Sequence, residues 1–247
     1  VNLALRWYLI FLAVLPGGLP AFAEDPAALS APPYLDGPAS RDGIGRRYQG
    51  REIARVMGFQ GSEWLNRVDR AREERPDLLV EALQLRPDMI IADVGAGSGY
   101  LTRRMATLVP RGRVYAVDIQ PEMVKMLEAL AGEPGLGHVV PVLATADNPQ
   151  LPKASIDLAV LVDVYHELQY PVEVIRHLVA ALKPGGRLVL VEYRGEDPAV
   201  AIKPLHKMTE AQVRRELAGF PLAWERTDER LPAQHVITFR KPDRQGA

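Results

Sequence analysis

His166 and Glu167 follow the apolar run at 156–162, and Glu192 closes another at 187–193. Imidazole exchanges protons near neutral pH, so His166 is the natural candidate for a general base, with Glu167 and Glu192 as alternatives. The competing reading of His166-Glu167 is a helix start with an acidic first turn. A second constellation lies upstream, in Asp93-Val94-Gly95-Ala96-Gly97-Ser98-Gly99-Tyr100. Glycines at the mouth of a helix allow positive φ and let a ligand come close to the backbone. The spacing is G-x-G-x-G, and Tyr100 stands where the dinucleotide fingerprint G-x-G-x-x-G needs its third glycine. No Gly-Lys-Ser/Thr follows, so a phosphate-binding P-loop is absent. A carboxylate at Asp93 would repel a pyrophosphate and would suit a ligand with an amino cation and a sulfonium. A glycine turn that merely joins strand to helix is the alternative. Asp118 ends the next apolar run about 20 residues downstream, the spacing of a ribose-binding acid. Its other reading is a helix N-cap ahead of Pro121.

Alternating elements position these residues. Short apolar runs at 89–94, 113–117, 138–143, 156–162 and 187–193 read as buried parallel strands. Between them, Leu101, Met105 and Leu108 recur at helical spacing, as do Met123, Met126, Leu127 and Leu130, and Val172, Ile175, Val179 and Leu182. Pro121 and Pro171 open two of these helices and 183–186, Lys-Pro-Gly-Gly, stops the last. Thr209 caps a further helix through Leu217, and strands at 222–227 and 235–240 lie close enough to form a hairpin. The expectation is an α/β fold: a Rossmann-like, mostly parallel sheet ending in an antiparallel hairpin, with helices on both faces. Residues 48–75 predict an N-terminal helical cap, with helices at 51–57, 62–72 and from Pro76. In such a sheet the ligand lies outside the carboxyl ends of the strands, where the glycine loop, Asp118, Asp163, His166 and Glu192 all fall.

Residues 91–100, 117–119, 157–163 and 182–186 together resemble the class I S-adenosylmethionine-dependent methyltransferases, over roughly 76–240. The likeness is strongest to the small-molecule branch that includes the ubiquinone/menaquinone methyltransferases, and to a group of bacterial methyltransferases with signal peptides. The stretches at 50–53 and 202–209 look typical of that group. The resemblance implies S-adenosyl-L-methionine as cofactor. Asp93, Gly95, Ala96, Gly97 and Gly99 would form its loop, with Asp118 and Ile119 at the ribose. An adenine-binding turn is implied after the third strand, where Asp147 is the candidate beside Thr145 and Ala146; an Asx-turn is the alternative. Asp163 would touch the cofactor or hold its own loop. Methyl transfer is a displacement at an activated carbon, so orientation and a dry pocket supply much of the rate.

The 247 residues carry a formal net charge of −1, without the basic excess of a nucleic-acid binder; a small-molecule substrate as partner is what the resemblance implies. No cysteine is present, which excludes thiolate chemistry and Cys-based metal sites. The five histidines show no metal-ligand spacing. His206 and Lys207 fall in a loop after the fifth strand, where Lys203, Lys207 and Arg194 read either as a basic patch for an acidic substrate or as solvated surface. Residues 1–23 read as a signal peptide: Arg6, an apolar run at 7–15 too short to span a bilayer, a Pro-Gly-Gly breaker and Ala21-Phe22-Ala23. An uncleaved anchor is the alternative. Cleavage after Ala23 would leave no stable membrane span and a periplasmic or secreted protein. Residues 24–47, rich in Pro, Ala, Gly and Asp, read as a disordered linker. Because S-adenosylmethionine is made in the cytoplasm, a noncatalytic exported binding protein competes with the enzyme reading. A nicotinamide oxidoreductase is the third alternative, disfavoured by the glycine spacing. The acceptor and oligomeric state are left open.

Overall fold

The computed structural model describes residues 33–243; the leader and the first part of the expected linker lie outside them. The body is one seven-stranded sheet with helices on both faces. Its strands are β4 (Ile90–Val94), β5 (Arg113–Asp118), β6 (Val139–Leu143), β7 (Ile156–Val162), β8 (Leu182–Tyr193), β9 (Ala223–Asp228) and β10 (Gln234–Arg240), once the three N-terminal strands described below are counted first. The order across the sheet is β6-β5-β4-β7-β8-β10-β9. β4 through β8 pair in parallel, and β10 enters antiparallel between β8 and β9. The chain leaves β4 toward β5 on one side and returns to β7 on the other. That reversal opens a crevice at the carboxyl ends of β4 and β7.

Each β–α step follows from local chemistry. Central strands such as β7 are apolar on both faces because helices cover both. Helix α4 (Tyr100–Leu108) and α5 (Pro121–Ala131) cover one face, with Met105 and Leu127 buried against Ile91 and Val114. α6 (Pro171–Ala181) and α7 (Glu210–Leu217) cover the other, where Ile175, Leu178 and Leu217 meet Leu161 and Leu190. Thr209 caps α7 as expected, its Oγ1 accepting from Gln212 N. α6 ends at Ala181, just ahead of the stop expected at 183–186, and those residues already belong to the start of β8, with Gly185 at φ 72°.

The N-terminal region departs from the expectation. Where a linker was expected through residue 47 and a helix at 51–57, β1 (Tyr34–Asp36), β2 (Gly43–Tyr48) and β3 (Arg51–Ala54) form a three-stranded antiparallel sheet. The charges of this segment are spent inward. Glu52 Oε1 accepts from Ser40 N and Gly45 N at 2.9 and 3.1 Å, and Arg51 pairs with the buried Glu216 of α7. Ile53 and Ala54 are fully buried. Three helices follow: α1 (Ser62–Leu65), α2 (Arg70–Glu74) and α3 (Pro76–Ala82). The helix expected over 62–72 is therefore two, broken at Asn66.

Candidate functional site

A cavity of about 630 Å³ lies at the carboxyl ends of the parallel strands. Its walls include Gly95 and Gly97 after β4, Asp118 and Ile119 after β5, Thr145 and Ala146 after β6, and Asp163 and His166 after β7. The segment of α1 and α2 covers it, with Trp64 and Leu65 turned to the same space. Arg70 fixes that cover: it pairs with Glu74 at 2.8 Å and donates to Leu65 O at 2.7 Å.

The glycine loop is wired to the chain itself. Gly95 N and Ala96 N donate to Val117 O at 2.8 and 3.0 Å, and Gly99 N donates to Ala96 O at 3.0 Å. Gly97 N donates to Asp118 Oδ2 at 2.9 Å. These amides offer no anion cradle, and a carboxylate already takes the place where one would sit. Gly97 has φ 55°, and a Cβ there would come within 2.8 Å of Leu65 Cδ1 in the cover. At Gly95 the obstacle is Val164, whose Cγ2 would lie 2.4 Å from a Cβ. Close approach at these two glycines is thus made by neighbouring side chains of the fold itself.

Asp118 borders the cavity but does not cap α5, whose N-cap position is Gln120 and carries no side-chain cap. Its Oδ1 accepts from Gln120 N at 2.9 Å, holding the entry to α5, while its carboxyl borders the cavity. Burial pushes its pKa up, against the pull of the Gln120 and Gly97 amides. Asp93 is placed differently from expectation. It does not line the cavity; its carboxylate accepts from Thr102 Oγ1 at 2.6 Å, and burial raises its pKa to about 6. Ala96 and Gly99 also stay off the wall. Asp147 is exposed and accepts from Thr145 Oγ1 at 2.6 Å, while the Asx-turn of this segment falls on Asn148, whose Oδ1 accepts from Gln150 N at 2.8 Å; Thr145 and Ala146 face the cavity.

Asp163 has φ 54°, and its Oδ2 accepts from Gln234 Nε2 at 2.7 Å. Its Oδ1 is shielded from solvent and accepts no hydrogen bond. Burial, with Glu192 and Glu74 nearby, pushes this carboxyl well above the usual range. A cationic group brought into the cavity would meet both an unused acceptor and a favourable field. Asp163, rather than Asp93, is thus the acid of the two that borders the cavity.

At the far end, His166 sits on a 3-10 turn (Tyr165–Glu167) after β7, and His206 on another (Pro204–His206) after β8. The fully buried Glu192 does not border the cavity. It holds His166 Nδ1 at 2.5 Å through Oε2 and accepts from Tyr165 N at 2.9 Å through Oε1. Glu192 is thus a positioning group, and Arg51 is another, donating to His166 O at 3.1 Å. His206 Nδ1 lies 3.1 Å from His166 Nε2 and 3.4 Å from Glu167 Oε1. The basic patch considered for 194–207 does not form: Lys203 pairs with Asp42 at 2.7 Å, Lys207 Nζ donates to Asp197 O and Val200 O, and Arg194 donates to Glu229 and to carbonyls of the β9–β10 connection.

Residues 92–190 match the family model described as "Methyltransferase domain". An uncharacterized methyltransferase of Mycobacterium tuberculosis is 36% identical over 138 residues, 56% of this chain and 53% of that protein. The ubiquinone/menaquinone biosynthesis C-methyltransferase of Ectopseudomonas mendocina is 30% identical over 116 residues, 46% of this chain and 45% of that protein. The chain spans about half the length of the curated relatives it matches. Among solved structures, a SAM-dependent methyltransferase from Aquifex aeolicus superposes with a TM-score of 0.70 at 22% identity, covering 75% of this chain and all of that one. The fold is that of the class I methyltransferases, as the strand order implies.

Proposed function

We propose that this chain, a member of the class I S-adenosylmethionine-dependent methyltransferases through its matched segment, transfers a methyl group to a small molecule held at the His166 end of the cavity. The observation that carries this reading is the bond from Gly97 N to Asp118 Oδ2, with the neighbouring loop amides also spent on the chain. A dinucleotide needs those amides for its pyrophosphate. An adenosyl ligand without phosphates needs only the carboxylate, for its ribose hydroxyls. Asp118 would take the ribose, with Ile119 against the adenine face and Thr145 and Ala146 at its edge. The unused Oδ1 of Asp163 suits the amino cation. When bound, the cofactor supplies a methyl carbon already activated by the sulfonium.

The chain's own work is to orient and to dry. The α1–α2 cover closes the cavity over the loop, so reacting groups lose water and keep one geometry. At the other end His166, held by Glu192, faces the acceptor. Calorimetric titration of the chain with S-adenosylmethionine and with NAD tests the reading. One-to-one binding of the first and none of the second is expected; the reverse order of affinities overturns it.

A further inference from the structure

We propose that His166, Glu167 and His206 form a binding site for a divalent transition-metal ion at the acceptor end of the cavity. The three atoms that would bind it are His166 Nε2, His206 Nδ1 and Glu167 Oε1. They lie 3.1, 3.4 and 3.9 Å apart in pairs. An ion bonded at the usual zinc distances to nitrogen and oxygen sets its ligands about 3.0–3.5 Å apart. The triangle therefore needs only a small contraction at its longest edge.

The surroundings are those of a ligand site. His166 donates Nδ1–H to the buried Glu192, itself held by Tyr165 N, which leaves the Nε2 lone pair aimed into the cluster. A carboxylate behind a ligating histidine fixes the tautomer and the ring plane of metal sites. Glu167 is oriented in turn by Met57 N, which donates to its carboxylate at 3.3 Å. The His166 carbonyl is anchored by Arg51. Lys203, ahead of His206, is paired with Asp42 at 2.7 Å. Two imidazoles and one carboxylate favour zinc, or cobalt, iron or manganese, over magnesium and calcium, which prefer all-oxygen shells. Three protein ligands facing a cavity leave a position open, as in catalytic rather than structural sites.

Resting on the methyltransferase reading, the open position selects an acceptor with a hydroxyl or thiol. Bound to the ion, that group loses its proton to solvent at lower pH than when free, and it stands ready as a nucleophile without needing His166 as base. Histidine spacing could not reveal the site, because its ligands come from two turns 40 residues apart.

The test is zinc binding to the full chain after stripping with EDTA, read by calorimetry and by metal analysis, with cobalt(II) absorption as a second probe. One ion per chain is expected in wild type and in His177→Ala, an exposed histidine on α6. At least tenfold weaker binding is expected in His206→Ala and Glu167→Gln. Affinity for S-adenosylmethionine, measured separately, should be unchanged in His206→Ala. Absence of stoichiometric zinc and of cobalt(II) d–d bands in wild type overturns the site, as does equal zinc affinity in folded ligand variants. Zinc uptake without S-adenosylmethionine binding keeps the site and removes the methyltransferase reading, so the two fail separately.

Discussion

Asp118 serves two neighbours before any ligand arrives: Oδ2 fixes the Gly97 amide and Oδ1 fixes the Gln120 amide. An amide side chain has one acceptor oxygen, so Asp118→Asn must turn a donor toward one of those N–H groups. We therefore expect Asn to lower both melting temperature and S-adenosylmethionine affinity, whereas a simple cap would tolerate it. Asp118→Ala should cost about 2–4 kcal/mol of binding, or roughly 30- to 1,000-fold; an Asn variant that binds and melts like wild type would remove Asp118 from the site. Asp93 gives a different signature. Its pKa of about 6 lies above that of an unfolded aspartate, so the native state holds the proton more tightly. This stabilisation is full below the unfolded pKa and is lost as pH rises through 6. Relative to Asp93→Asn, which keeps an acceptor for Thr102, wild type should lose about 2 kcal/mol between pH 4.5 and 7.5 in urea unfolding. Parallel pH profiles for the two proteins would show that Asp93 is not perturbed by burial.

Elements whose function is burial were legible; those whose charges turn inward were not. β7 spans the predicted 156–162 because a strand covered on both faces must be apolar throughout. β3 was read as a helix ahead of Gly58, yet its charges serve partners outside the segment: Glu52 holds Ser40 N, and Arg51 reaches Glu216, 165 residues away. Separation in sequence also hid the pairing of His166 with His206, though each was noticed alone. The glycine loop and Asp118 were found because their spacing is local. Arg51 now explains why β3 matters to the site: it spans from Glu216 of α7, with bonds of 2.9 Å to both carboxylate oxygens, to the carbonyl of His166. Arg51→Met leaves Glu216 fully buried with only Tyr165 and Gln212 as partners. Breaking one side of a buried pair costs about 3–5 kcal/mol, while replacing both sides with apolar groups is often near neutral. We expect chemical denaturation to show that loss in Arg51→Met and its recovery when Glu216→Leu is added. A single variant as stable as wild type would mean that the strap does not hold the turn.

At the scale of the molecule the open matter is where it works. We propose that the chain is exported and cut after Ala23. The apolar run at 7–15 follows Arg6 and is broken by Pro-Gly-Gly ahead of a small-x-small site. No helix among the described residues is long and apolar enough to cross a membrane. β1 begins at Tyr34, whose hydroxyl accepts from Val172 N at 3.1 Å and donates to Glu173. The absence of cysteine means that an oxidising compartment would neither add nor scramble a crosslink. The cost of export falls on the cofactor, which is made in the cytoplasm, so an exported enzyme must either bind it before leaving or meet it outside. Secretion through a channel that passes unfolded chains would exclude the first route, because the cavity exists only once β4, β5 and β7 have paired. The expected result is therefore a mature chain starting at Glu24 in the periplasmic or external fraction, recovered without bound cofactor and able to take it up on addition. N-terminal sequencing of fractions, with mass spectrometry under non-denaturing conditions, reads both points. A full-length chain in the cytoplasm would overturn the export reading and supply the cofactor where it is made.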